Sequence, residues 1–132
     1  MFEVTVEAGF SSGHYLRNYR GKCENPHGHN YKVFITLVGE ELDEAGLLLD
    51  FKLLKQVMRP VVEYLDHQMI NELEPFTTIN PSAENLARYF YDKAKLHDIW
   101  ERYRNRYAAL TERYHTPLAK MVFDTEIYLK LQ

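Results

Sequence analysis

The chain holds one cysteine, Cys23, in 132 residues. An intramolecular disulfide is excluded, and the free thiol fits a reducing cytosol and stays available for chemistry. Positive charge is not in excess, since 16 Lys and Arg stand against 19 Asp and Glu for a formal net charge of −3. That balance gives no reason to expect nucleic acid or an anionic membrane as partner. No apolar run approaches the roughly 20 residues of a membrane-spanning helix. The first residues, MFEVTVEAGF, lack a basic stretch followed by an apolar one and do not read as a secretory signal. A soluble, cytoplasmic protein is expected. Hydrophobic content of 45%, with 10 tyrosines and 7 phenylalanines, suffices for a core, and the length suits a single domain over 1–132.

What is present is concentrated in one stretch. Residues 14–29 carry His14, His27 and His29 together with Cys23. Three neutral imidazoles can hold one divalent metal and leave a coordination position open, as a catalytic zinc requires. His27 and His29 are two residues apart, so on an extended chain both point to one face. Gly28 between them adds no bulk, and His14 would arrive from a second strand. The pair alone also fits two surface imidazoles, and Cys23 as a fourth ligand would close the site. Spacing leaves these alternatives open. Arg17, Arg20 and Lys22 lie in the same stretch. They form either a solvated basic patch or a landing site for a polyphosphate.

Around this stretch the hydrophobic period changes in order. Phe2 to Phe10 alternates as a half-buried strand that delivers His14 just beyond its end, and residues 15–26 read as loop. His29 to Val38 predicts a second strand, Gly39 to Gly46 an acidic turn, and Leu47 to Leu49 a short apolar run. Asp50 is placed to cap a helix whose apolar positions are Phe51, Leu54, Met58, Val61, Val62 and Leu65. Pro60 inside it predicts a kink or a break. Asn80 or Ser82 would cap a second helix, with Pro81 in its first turn. Residues 82–115 lack glycine and proline, and Trp100, Tyr103, Tyr107, Leu110 and Tyr114 form one stripe. This segment is one rod or a hairpin broken near Lys95 to Asp98. Pro117 ends it, and Met121 to Leu131 alternates as a final strand. The order predicts an α+β fold.

Several ordered blocks carry a resemblance. Phe10-Ser-Ser-Gly-His14, Cys23-x-x-x-His27-Gly-His29, Gly46-Leu-Leu-Leu-Asp50-Phe51, Leu65-Asp66-His67 with Asn71, and Pro81-Ser-Ala-Glu84-Asn85 occur in sequence. Together they resemble the 6-pyruvoyl-tetrahydropterin synthase and 6-carboxy-tetrahydropterin synthase family over about residues 2–90, and again at the last strand. The resemblance implies the tunnelling fold: a four-stranded antiparallel sheet with two helices on one face. It further implies sheets joined edge to edge into a barrel, as a homo-oligomer that is usually a hexamer. Residues 97–116 then look like a helical insertion.

The resemblance also implies a Zn2+ cofactor on the three histidines and a catalytic triad of Cys23, Asp66 and His67. In many members the Asp-His pair comes from a neighbouring subunit. On the residues alone, Asp66-His67 at a helix end fits a cap or core contact as well as a proton-transfer pair. The family's pterin anchor is a glutamate before a threonine on the last strand. Alignment on Thr125 puts Asp124 there, with Glu126 as second candidate for accepting the pterin's N–H groups. Glu84 is expected to cap or orient at a helix start rather than act chemically.

The implied substrate is 7,8-dihydroneopterin triphosphate. One branch of the family gives 6-carboxy-5,6,7,8-tetrahydropterin on the route to queuosine, and another retains the carbons as 6-pyruvoyl-tetrahydropterin. A third uses a glutamate for the cysteine and gives 6-hydroxymethyl-7,8-dihydropterin for folate. Cys23 and Glu24 stand in tandem here, so Glu24 is either a surface residue or the source of a folate-directed activity. The 6-carboxy reaction is the expectation, with the folate-type cleavage next. A silent pterin-binding relative with structural zinc is the reading from another class.

Overall fold

The computed structural model describes residues 2–95 and 122–130. Three strands form an antiparallel sheet in the order β1-β2-β3, with β1 at Phe2–His14, β2 at His27–Gly39 and β3 at Val122–Lys130. Two helices, α1 at Phe51–Leu65 and α2 at Ala83–Lys95, supply the second layer. Val6 and Phe10 of β1, with Tyr31, Val33, Ile35 and Leu37 of β2, turn one sheet face into a core shared with Leu54, Met58, Leu65, Leu86 and Phe90. The alternation of buried and open positions along β1 and β2 is the period-two pattern of a sheet with one covered face. Among the described residues no helix is long and apolar enough to cross a membrane.

Several sequence expectations hold at the residue level. Asp50 caps α1 by accepting the Lys52 N–H at 2.8 Å. Ser82, rather than Asn80, caps α2, its hydroxyl accepting the Asn85 N–H at 3.2 Å. Pro81 therefore precedes the cap instead of sitting in the first turn.

Others are corrected. Both long strands are longer at the metal end than their composition suggests. His14 pairs with His27 inside the ladder, so His14 ends β1 and His27 opens β2. Pro60 does not divide α1. It lies on the open face beside Gln56, whose carbonyl loses its helical partner where water can replace it. Phe51 is exposed and Val57 takes a place in the core instead, which restores the helical period. The short apolar run Leu47 to Leu49 forms a bend that buries Leu48. The fourth strand of the tunnelling fold is not among the described residues. The aromatic stripe from Trp100 to Tyr114, the insertion at 97–116 and the question of a break near Lys95 to Asp98 lie outside them.

Candidate metal centre and active site

Register explains how three distant histidines meet. On the core-facing side of β1 and β2, Phe10 stands opposite Tyr31, Ser12 opposite His29, and His14 opposite His27. The histidines thus occupy the last two core-facing rungs of the ladder, at the end of the core nearest the start of α2. One ring nitrogen from each can be chosen so that all lie within 4.8 Å of one another. The rings meet edge to face, with centroids 4.6 Å apart for His14–His27 and His27–His29 and 5.0 Å for His14–His29. Tyr31 lies beneath them, its ring 5.8 Å from His14 and 5.7 Å from His29, and stacks on Phe10 at 4.6 Å.

The hydrogen bonds fix the tautomers. His14 Nδ1 lies 2.7 Å from the Pro81 carbonyl, and His27 Nδ1 lies 2.7 Å from the Asn25 carbonyl. A carbonyl only accepts, so both Nδ1 atoms carry the proton and both Nε2 atoms present lone pairs. Those two Nε2 atoms are 3.0 Å apart. Facing lone pairs repel, and a cation between them removes the conflict. A tetrahedral zinc spaces its nitrogen ligands by roughly 3.3 Å, so the set fits a divalent metal. Burial, opposed by the Pro81 hydrogen bond and assisted by the other imidazoles, pushes the His14 pKa down; burial and then His27 do the same to His29. Both rings are thereby kept neutral, the form that ligates metal.

The remaining expected residues fall into separate places. Cys23 is half-buried in a single 3₁₀ turn, Lys22–Glu24, and is not part of the ligand group. Its carbonyl accepts the Leu16 N–H at 2.8 Å. Glu24 is exposed and shares with Tyr15, Arg17, Tyr19, Arg20 and Asn25 the wall of an open cavity of about 650 Å³. Lys22 is exposed but does not line that cavity. Arg17 is partly engaged: its guanidinium reaches the carbonyls of Asn71 at 3.3 Å and Ile79 at 3.4 Å, with the Tyr15 ring 5.4 Å away.

Asp66 and His67 follow α1 and dock on the outer edge of β1. The Ser11 N–H donates to Asp66 Oδ1 at 2.9 Å, and Asp66 Oδ2 lies 2.9 Å from His67 Nδ1. The Ser11 bond, then the His67 ring, hold the Asp66 carboxyl below its usual range. His67 adopts φ 54°, a conformation rare outside glycine. Its N–H then reaches the Ser11 carbonyl at 2.7 Å while its ring leans back on Asp66. The His67 side chain is 82% exposed. Among the described residues no hydrogen bond or ion pair joins this pair to Cys23 or to the histidines. Gly13 matters for this docking, because a Cβ there would meet Met69 Cε at 3.1 Å. Gly28 has open space instead, with nothing nearer than Ser12 O at 3.9 Å. On β3, Asp124, Thr125 and Glu126 pair with Thr36, Ile35 and Phe34, towards the other end of β2 from His27 and His29.

Sequence reasoning did not assign the residues that support the site. The Pro81 carbonyl orients His14, and the side chains of Asn71 and Asn80 bind the backbone on either side of Leu16. Glu84, expected to cap or orient at a helix start, stands exposed in the first turn of α2, where an acidic side chain suits the helix N-terminus, and Ser82 supplies the cap.

Comparison with protein-family models matches residues 3–117 to the family described as 6-pyruvoyl tetrahydropterin synthase. A 6-carboxy-5,6,7,8-tetrahydropterin synthase of Bacillus subtilis is 33% identical over 99 residues, covering 71% of this chain and 66% of the relative. The protein of the same name from Haemophilus influenzae is 32% identical over 124 residues, covering 74% and 84%. The solved structure of Caenorhabditis elegans 6-pyruvoyl tetrahydropterin synthase superposes with a TM-score of 0.63 at 34% identity, covering 72% of this chain and 79% of that one. Sequence blocks, fold and histidine geometry converge, and the chain belongs to the 6-pyruvoyl tetrahydropterin synthase family.

Proposed function

We propose that this protein is a zinc-dependent pterin synthase that converts 7,8-dihydroneopterin triphosphate to 6-carboxy-5,6,7,8-tetrahydropterin. The observation that carries the reading is the three-histidine set with facing Nε2 lone pairs and no carboxylate or thiolate in the group. Such a set leaves a position for substrate. Relatives named for the 6-carboxy product support that branch. Zinc, when bound to His14, His27 and His29, supplies a Lewis acid that lowers the pKa of substrate hydroxyls. Cys23 then moves a proton at a side-chain carbon, and Asp66 with His67 forms the second proton-transfer group. Asp66 keeps the His67 Nδ1 occupied, so Nε2 is the atom that exchanges a proton with substrate.

Arg20 and Lys22 are assigned to the triphosphate, with Arg17 setting the loop from which they project. The ring anchor is Asp124, with Glu126 as its close second. His67 faces outward at one sheet edge, while the β3 residues lie along β2 from the histidines. A site using all of them draws on more than one copy, and a homo-oligomer, a hexamer by family likeness, fits this arrangement. The 6-carboxy product directs the protein to queuosine biosynthesis.

One observation favours a second reading. Glu24 lies in the same turn as Cys23 and on the wall of the open cavity, where its carboxylate offers the general base for cleavage to 6-hydroxymethyl-7,8-dihydropterin. Anaerobic incubation of the zinc-loaded protein with 7,8-dihydroneopterin triphosphate, followed by mass identification of the pterin, decides between them. A 6-carboxy product is expected. A 6-hydroxymethyl product makes Glu24 the acting residue, and absence of turnover leaves a pterin-binding protein.

A further inference from the structure

We propose that Asn71 and Asn80 are positioning residues that hold the Cys23 loop against the metal centre. The inference rests on the role given to Cys23 above. Beyond His14 the chain leaves the ladder and turns at Arg17 and Asn18, and no strand accompanies it among the described residues. Asn71 Oδ1 accepts the Tyr15 N–H at 2.9 Å, and Asn71 Nδ2 donates to the Tyr15 carbonyl at 2.9 Å. Asn80 repeats the pattern on Arg17, with both bonds at 2.8 Å. Each side-chain amide thus does what a neighbouring strand residue would do, donating and accepting at one position. The orientations follow from the partners, since an N–H meets only the amide oxygen and a carbonyl only the amide nitrogen.

The residue between the two clamps gives them their purpose. With Tyr15 and Arg17 both held by side-chain amides, the Leu16 N–H between them donates to the Cys23 carbonyl at 2.8 Å. The turn bearing Cys23 is tied at its far end as well, because the Asn25 carbonyl receives His27 Nδ1 at 2.7 Å. The thiol is therefore suspended between the supports of two metal histidines. Both clamps are themselves anchored. Asn71 is 4% exposed. The Asn80 carbonyl accepts Asn85 Nδ2 at 2.9 Å from the first turn of α2. Asn80, Pro81 and Ser82 in succession clamp the strap, orient His14 and cap the helix.

The test uses the zinc-loaded full chain and reads the thiol rather than the pterin. The rate of Cys23 alkylation by iodoacetamide, with zinc content and circular dichroism as controls, is compared between wild type and Asn80→Ala. The expected result is retained zinc, a folded spectrum and alkylation about tenfold faster, the loosening that loss of one or two ordinary hydrogen bonds permits. An unchanged rate in a folded, zinc-loaded Asn80→Ala overturns the proposal. Loss of zinc overturns it too, because the strap would then be serving His14 rather than Cys23. Should Asn80→Ala not fold, Asn80→Asp keeps the acceptor for the Arg17 N–H but sets a carboxylate oxygen against the Arg17 carbonyl in place of the donor; it too is expected to raise the rate, and no change refutes the clamp. A merely structural role lowers melting temperature without moving the alkylation rate of the folded state. Absence of pterin turnover leaves this readout intact, so the two proposals fail separately.

Discussion

At the scale of single residues, the metal centre is a problem of protons. His14 and His29 are held neutral by burial, so their folded pKa values lie below 6.5. The unfolded chain then takes up protons that the folded chain refuses as pH falls below that value. Stability is complete above 6.5 and declines as pH drops through the folded values; zinc affinity declines in the same direction because protons compete for the ligands. Urea midpoints of the metal-free protein are expected to fall between pH 7.5 and 5.5, with a smaller fall in a His14→Gln, His29→Gln double variant. Tyr31 presents the opposite case. Its ring fills space under the imidazoles, yet its hydroxyl is buried without a hydrogen-bond partner among the described residues, and burial pushes the phenol pKa up. An orphaned hydroxyl costs about 1–3 kcal/mol. Tyr31→Phe is therefore expected to keep zinc and to match or exceed wild type in melting temperature; clear destabilisation would show that the hydroxyl has a partner. Asp66→Asn, which frees the His67 tautomer, is expected to lower kcat by about 10²–10⁴ with a smaller change in KM, read by steady-state kinetics.

At the scale of elements, the strands and helices owe their positions to periods that are plain in the chain. Phe10 sits in β1, stacks on Tyr31 at 4.6 Å and meets Phe90 of α2 at 6.1 Å, joining the two layers. Phe10→Ala is expected to destabilise by about 3–5 kcal/mol in denaturant unfolding, and Ser82→Ala by about 1 kcal/mol through its lost cap. Val6, Phe10, Tyr31, Val33 and the stripe of α1 could be read from alternation and helical spacing alone. The histidine triple could be read as a candidate, because His-x-His on a strand puts two imidazoles on one face, although spacing alone left surface imidazoles and a Cys23-closed site as alternatives. The clamps could not. Asn71 and Asn80 bind backbone 56 and 63 residues away, and a side-chain amide aimed at a distant peptide group leaves no local pattern. Extension of β2 back to His27 was hidden by Pro26 and Gly28, whose composition suggests loop while cross-strand pairing decides otherwise. The left-handed turn at His67 was equally illegible, since it is imposed by the Ser11 contacts.

At the scale of the molecule, β1 is an edge strand among the described residues. Residues 67–69 cover its outer side only at Ser11 to Gly13. From Phe2 to Phe10 that side has no strand partner among the described residues. An open edge of this length templates pairing with another chain. Neighbouring N–H groups on a strand point alternately inward and outward, so of Val4→Pro and Thr5→Pro one removes a bond to β2 and the other a bond at the outer edge. The outer-edge variant is expected to dissociate the proposed homo-oligomer while keeping its circular dichroism, as measured by sedimentation. If both variants sediment as wild type, the edge is not an interface. The run Asn80-Pro81-Ser82 carries a different consequence for the whole chain. Asn80 and Pro81 answer to two distant residues, Arg17 and His14, and Ser82 to the start of its own helix, so their spacing is a ruler. A conservative exchange at one of them disturbs one partner, whereas insertion or deletion of a single residue throws all three out of phase together. The connection into α2 is therefore fixed in length.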